Sequence, residues 1–324
     1  MTAVSETITE IVSTISAATV TPVGTRIPAQ PRSLRMSAER APTSEPPPAS
    51  LRRVESQPIG MFDSGFGGLT VARALIDLLP TEDLVYIGDT ARYPYGPRPL
   101  DEVRSFSLEI AEHLVADHNI KLLVVACNTA SAAALDELQQ RLSIPVVGVI
   151  QPGATSLASA TRSGRVGVIG TVGTIGSREY EQAVTATGAE VDLTSLACPG
   201  FVEFVERGLV DTEQVKVLAE RLLAPMVAAN VDSLLLGCTH YPFLARTIGG
   251  VMGRDVVLVS SADETAFEVY RMLGGMRYSS NATGTGKHKF FSSGDVAWFE
   301  DLGRRLLGPE LAAAQSVSFA TAAA

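Results

Sequence analysis

Cysteine is scarce in this 324-residue chain, which has only Cys127, Cys198 and Cys238. So few, and an odd number, exclude a disulfide-stapled secreted fold and point to the reducing cytoplasm. Lysine is nearly as rare, with Lys121, Lys216, Lys287 and Lys289 alone. Acidic residues outnumber basic ones, 35 to 26, for a formal net charge of -9. That balance argues against a nucleic acid held on a basic face. No apolar run approaches the ~18 residues of a membrane span. The N-terminus carries no apolar core followed by a small-residue cleavage site, so no signal peptide is expected. The longest apolar runs, such as 122–127, have the length of buried strands.

Hydrophobic residues make up 46% of the chain, enough for a sizeable core. Residues 1–57 stand apart. They are rich in Ser, Thr, Ala, Pro and Arg and include Pro46-Pro47-Pro48. Apart from a short helix within 1–18, this extension is expected to be disordered, because it has too little apolar content to offset the entropy of ordering. It reads either as a dispensable tail or as a regulatory arm. From residue 58 onward strand-like runs at 59–62, 84–87, 122–126, 146–149, 166–169, 233–236 and 256–259 alternate with helical stretches, among them 69–79, 100–117, 130–141, 178–186 and 212–229. Such alternation predicts an α/β fold with largely parallel sheets covered by helices on both faces. Sites in that architecture lie beyond the C-terminal ends of the strands.

The pattern occurs twice. Ile59-Gly60-Met61-Phe62 opens into the glycine-rich turn Asp63-Ser64-Gly65-Phe66-Gly67-Gly68, and Val166-Gly167-Val168-Ile169 opens into Gly170-Thr171-Val172-Gly173-Thr174. Further on, one apolar run ends in Cys127-Asn128-Thr129 and another in Cys238-Thr239-His240, at offsets of 64 and 67 from Asp63 and Thr171. Two half-repeats, each a strand with a loop and then a strand with a cysteine, are the expectation. Chance likeness among buried strands is the alternative.

Two thiols in equivalent places narrow the chemistry. A zinc site wants about four ligands at compact spacing, and a redox pair usually shows C-x-x-C; neither pattern is present. A Cys238–His240 nucleophile leaves Cys127 without a role. Two-base racemisation employs both thiols, one as thiolate on one face of an α-carbon and one as thiol on the other. Pyridoxal phosphate would need a Schiff-base lysine, and none of the four lysines is placed as a buried anchor. Gly65-Phe66-Gly67-Gly68 is only a partial dinucleotide fingerprint, and the segment around Gly286-Lys287 departs from a phosphate-binding loop at Asn281 and His288. Cys198 is given no chemical role.

Four segments, in order, carry a resemblance: Phe62 through Thr70, Tyr86 through Gly96, Ala126 through Ser131, and Leu236 through Pro242. They resemble the motifs of glutamate racemases, in the aspartate/glutamate racemase superfamily, over about 58–274. The resemblance implies two pseudo-symmetric α/β domains with the active site between them, the first of 58–150 plus 263–310 and the second of 151–262, with 311–324 a disordered tail. It implies Cys127 and Cys238 as the proton donors and acceptors, and Asp63, Ser64, Tyr95, Gly96, Asn128, Thr129, Thr239 and His240 as residues binding glutamate. Asp63 could instead cap the following helix, and His240 could be a structural histidine. Glu206 resembles, more weakly, a glutamate placed near the site, and Thr171 and Thr174 are further candidates to line it. Family members need no cofactor or metal, are often homodimers and supply D-glutamate for peptidoglycan in the bacterial cytoplasm; some are linked to DNA gyrase. Some relatives use an N-terminal extension for regulation by a cell-wall precursor, but 1–57 shows no pattern that carries this over. The alternatives are a related racemase for aspartate or a hydantoin, and a binding or regulatory protein on the same scaffold.

Overall fold

The computed structural model describes residues 56–276, 280 and 284–319. The extension up to residue 55, with its expected helix in 1–18, lies outside the described residues. Ten strands follow in chain order: β1 (Ile59–Asp63), β2 (Leu84–Gly88), β3 (Leu122–Val125), β4 (Val146–Gly148), β5 (Arg165–Gly170), β6 (Asp192–Ala197), β7 (Ser233–Gly237), β8 (Val257–Val259), β9 (His288–Ser292) and β10 (Ala314–Ser316). They form two sheets, ordered β10-β9-β2-β1-β3-β4 and β6-β5-β7-β8, and every pairing is parallel. The order β2-β1-β3-β4 of one lobe recurs as β6-β5-β7-β8 in the other, which is the half-repeat expected from the sequence.

The apolar runs form strands because both faces of each sheet are covered. All five residues of β1, β2 and β7 are buried. Full burial of a Leu, Val or Phe side chain contributes about 1.5–3 kcal/mol, so these runs tolerate no polar face. Helices between the strands present apolar stripes at helical spacing: Leu69–Leu78 buries Leu69, Val71, Ala72, Leu75 and Ile76. Helix Ala262–Met276 brings the chain back from the second lobe and packs its buried side, Ala262, Thr265, Ala266, Val269 and Leu273, against Leu69–Leu78 of the first.

Three features depart from the sequence reading. Strand β6, absent from the expected set, is an edge strand whose residues are half-buried or exposed, so its alternation is weak. Strand β10 falls within 311–324, expected to be a disordered tail; it pairs with β9, and Val317 beyond it is buried. Backbone pairing and burial of Val317 order a segment whose composition alone offers little. Lys121 does more than precede a strand: it is buried and its Nζ lies 2.5 Å from Glu82 Oε2. Burying that ammonium is tolerated because the carboxylate is buried beside it. The pair lies at the N-terminal end of the first sheet, away from the cysteines.

Candidate active site

The C-terminal ends of β1, β3, β5 and β7 converge between the lobes. Asp63 ends β1, and its carboxylate is wholly buried. Its Oδ1 accepts the Gly65 amide at 2.8 Å, while Oδ2 accepts the Thr239 hydroxyl of the other lobe at 3.3 Å. The residue N-terminal to helix Leu69–Leu78 is Gly68, and that cap has no side-chain hydrogen bond. Asp63 is therefore not the N-cap residue itself; its carboxylate serves the turn, the Gly68 backbone at the helix start and the opposite lobe. Burial is the main cause that raises its carboxyl to about 6, against the hydrogen bonds that favour its charge.

Cys127 lies two residues past β3 and caps helix Asn128–Arg141, its Sγ accepting the Ala130 amide at 3.5 Å. Ser64 Oγ lies 3.8 Å from the same sulfur. Burial first, and then the Asp63 charge, push this thiol up to about 12. Cys238 follows β7 directly, with its Sγ 4.0 Å from His240 Nδ1. It too is pushed far above the ordinary thiol range, by burial first and by the Cys127 and Asp63 charges as well. Both shifts favour the protonated thiol at neutral pH. Each would be a strong base once ionised.

His240 is buried, and burial lowers it to about 4, so its ring is neutral at pH 7. Phe66 packs edge-on against it at 4.8 Å between centroids. On the far side of the ring, Nε2 lies 4.0 Å from Glu206 Oε1. Burial raises the Glu206 carboxyl to about 7. The imidazole thus stands between a thiol and a carboxylate.

The polar residues beside the cysteines are arranged to hold charged groups. Asn128 Oδ1 accepts the Tyr180 hydroxyl at 2.5 Å, which leaves its buried Nδ2 as a donor with no partner in the protein. Thr129, Thr171 and Thr174 join their hydroxyls across the lobes at 3.0–3.1 Å. Gly173 donates its amide to Gly96 O at 2.9 Å. Close approach requires glycine at two of these points: a Cβ on Gly67 would meet Thr239 Oγ1 at 2.4 Å, and one on Gly96 would meet Thr171 Cβ at 2.8 Å. Tyr95 is buried and gives its hydroxyl to Asp89, so a ligand contact from Tyr95 falls to its backbone. The structure brings together Asp63, Ser64, Asn128, Thr129, Thr239 and His240 with the two cysteines. Cys198 is buried in the apolar core, and its carbonyl accepts the Tyr241 hydroxyl.

Sequence reasoning missed Tyr93 and Tyr180. Tyr93 lies within the second quoted motif, and its ring packs 5.9 Å from that of His240; the only signal was its place in the loop after β2. Tyr180, on helix Glu179–Ala186, carries no motif at all. Among the described residues, no helix is long and apolar enough to cross a membrane, and no cluster of three or more His, Cys, Asp or Glu side chains is placed to hold a metal ion.

Comparison with known proteins yields consistent matches. Residues 68–267 match the family model described as Asp/Glu/Hydantoin racemase. A protein named glutamate racemase from Parafrankia sp. (strain EAN1pec) is 54% identical over 269 residues, covering 82% of this chain and 95% of that protein. Among solved structures, a glutamate racemase isoform from Bacillus anthracis superposes with a TM-score of 0.77 at 44% identity, covering 82% of this chain and 98% of the other. A glutamate racemase from Francisella tularensis, solved in complex with D-glutamate, gives 0.76 at 32% identity with the same coverage.

Proposed function

The chain belongs to the Asp/Glu/hydantoin racemase family, and we propose that it interconverts L- and D-glutamate, with Cys127 and Cys238 as the two bases. The observation that carries this reading is the pair of buried thiols past the equivalent strands β3 and β7, each close enough to feel the charge of Asp63. Glutamate enters between the lobes, and its α-ammonium supplies the positive charge that lowers the thiols. One cysteine, as thiolate, takes the α-proton. The other, as thiol, gives its proton to the opposite face of the carbanionic centre, so the thiols end with their protonation exchanged. The developing charge on the α-carboxylate is met by fixed donors, with Asn128 Nδ2 and the hydroxyls of Ser64 and Thr239 in place for it. His240 and Glu206 lie behind Cys238 and take up or return its proton; Asp63 does so on the side of Cys127.

Division of the chain into a unit of 58–150 with 263–310 and a unit of 151–262 belongs to this proposal; the split of β1–β4 with β9 from β5–β8 supports it, and β10 carries the first unit past residue 310. The product serves peptidoglycan synthesis in the cytoplasm. A homodimeric state and an association with DNA gyrase rest on family resemblance alone. Glutamate is favoured over aspartate or a hydantoin because the relatives matched at 54% and 44% identity carry that name. A purely binding role would leave the second thiol unexplained.

The test is incubation of the purified protein with L- or D-glutamate in D2O under reducing conditions, without added cofactor. Racemisation with deuterium appearing at the α-carbon is expected, because both thiol protons exchange with solvent. Absence of both would overturn the proposal.

A further inference from the structure

Tyr93 is the one aromatic side chain of the loop after β2 that reaches the second lobe's acid–base groups. Its ring lies against Gly65, where a Cβ would meet it at 3.1 Å, and extends to His240 at 5.9 Å. Its hydroxyl oxygen, Glu206 Oε1 and His240 Nε2 are each buried without a close hydrogen-bond partner in the protein. Burying three polar atoms in such a state is costly unless they serve one another. Here the hydroxyl stands beside the Glu206 carboxylate, outside ideal hydrogen-bond geometry yet near enough to favour its charged form. Resting on the racemase reading above, we propose that Tyr93 is a positioning residue: its hydroxyl holds Glu206 toward His240 and thereby sets the charge available behind Cys238.

The geometry supports this in three ways. Glu206 ends the short helix Phe201–Glu206, on the second lobe's loop after β6, with its buried Oε1 4.0 Å from His240 Nε2 and without a hydrogen-bond partner in the protein. His240 is clamped by Phe66 on one side and Tyr93 on the other. Tyr93 reaches His240 and Glu206 from the other lobe, so this grouping exists only when the lobes stand as they do here. The charged and titratable groups facing the cluster are Glu203 beside Glu206, and Cys238 and Asp63 beside Tyr93. All are acidic, and among the described residues the Tyr93 hydroxyl is the group that favours the ionised form of Glu206.

The proposal is tested with Tyr93→Phe, which keeps the ring and removes the donor. The pH dependence of kcat/KM is measured for the wild type, Tyr93→Phe, Glu206→Gln and the double variant. The expected result is a fall in kcat/KM of about tenfold near pH 7. Its acid limb should move upward by about one pH unit, because the lost donor favours protonated Glu206. In the Glu206→Gln background, Tyr93→Phe should have no further effect, since the two act as one unit. An acid limb that stays in place, or losses that multiply in the double variant, overturns the role given to Tyr93. Should Tyr93→Phe fail to fold, Tyr93→His, which keeps a ring N–H donor, and Tyr93→Leu, which has none, supply the comparison; an acid limb at the same pH in both overturns it too. A wild-type protein without racemase activity would instead sink the function proposed above.

Discussion

Strand β2 in the first lobe is buried along its whole length, whereas its counterpart β6 in the second is half-buried or exposed. The difference is β9, which lies on the outer edge of β2 and has no equivalent beside β6. The consequence reaches the site. The loop after β2 is tied to the end of β9: Ser293 Oγ donates to Asp89 Oδ1 at 2.6 Å and accepts the Ala91 amide at 3.0 Å, and the Gly294 amide bonds Thr90 Oγ1 at 2.9 Å. The loop after β6, which leads to Glu206, is held from within its own lobe instead: the Cys198 amide bonds Gly170 O at 2.9 Å and its carbonyl accepts the Tyr241 hydroxyl at 3.0 Å. Around the thiols the lobes also diverge. Cys127 sits on a helix N-terminus with Ser64 and near Asp63; Cys238 sits beside a neutral imidazole. A duplicated scaffold has thus placed two thiols alike and tuned them by different means.

The largest test of this comparison removes the thiols. Cys127→Ser and Cys238→Ser should each lower kcat/KM at least ~10³-fold, because a hydroxyl is a far poorer base. Enantiomers are isoenergetic, so kcat/KM must fall equally in both directions for either variant, and the lobes cannot be told apart that way. The primary isotope effect with α-deuterated substrate can separate them. Weakening one thiol's partner should raise the effect for the enantiomer that this thiol deprotonates and lower it for the other. Equal responses from changes on both sides would mean that the lobes are not tuned separately.

A smaller effect is expected at Asp63, the one charge that bears on both sulfurs. Asp63→Asn should lower kcat/KM about 10²-fold. It should also stabilise the protein at alkaline pH. Burial raises the folded carboxyl to about 6, above its unfolded range, so ionising it opposes folding. That cost is absent below the unfolded carboxylate's range, grows as pH rises toward 6 and is complete above it. Thermal unfolding at pH 8 should show Asp63→Asn more stable by up to about 3 kcal/mol, with no gain near pH 3. A variant less stable than the wild type at pH 8 would show that the hydrogen bonds to Gly65 and Thr239 outweigh the buried charge.

Much of this was legible in the sequence for a physical reason. Strands covered on both faces must be continuous apolar runs, so β1, β3, β5 and β7 announce themselves, and the thiols that follow them are placed by counting. Two of the four edge strands were not legible, because an edge needs only one apolar face: Asp192 through Ala197 and Ala314-Gln315-Ser316 have no pattern that composition can distinguish from a loop, whereas the edge strands β4 and β8 are short apolar runs and could be read. The burial of Lys121 was equally hidden, since it depends on Glu82 from a turn 39 residues away. Within the site, residues adjacent to the cysteines were found by adjacency. Tyr93 and Tyr180 act across lobes, through contacts that only the folded arrangement creates, and Tyr95 was given a ligand role although its side chain serves Asp89.

The smallest effect concerns the extra edge itself. Arg92, which pairs with Asp89 at 2.7 Å and with Glu109 at 2.5 Å, lies with its guanidinium 4.3 Å from the Phe106 ring centroid and 4.9 Å from that of Phe319. Phe319 follows β10, so beside the bonds from Ser293 and Gly294 the edge of the first lobe also reaches the loop after β2 through a cation–π contact. Removing it with Phe319→Ala should cost about 0.5–1 kcal/mol and lower Tm by a few degrees at most. If that contact only stabilises the fold, KM for glutamate will match the wild type at temperatures well below Tm. If the edge strands hold the loop that carries Tyr93, Tyr95 and Gly96, KM should rise about twofold to fivefold, the equivalent of this energy, while kcat stays within error. The second lobe, which has no β9 or β10, offers the control: Val257→Ala, on exposed edge strand β8, should leave KM unchanged. A matching rise in KM from both would remove the distinction between a loop held by added edge strands and one held from within its own lobe.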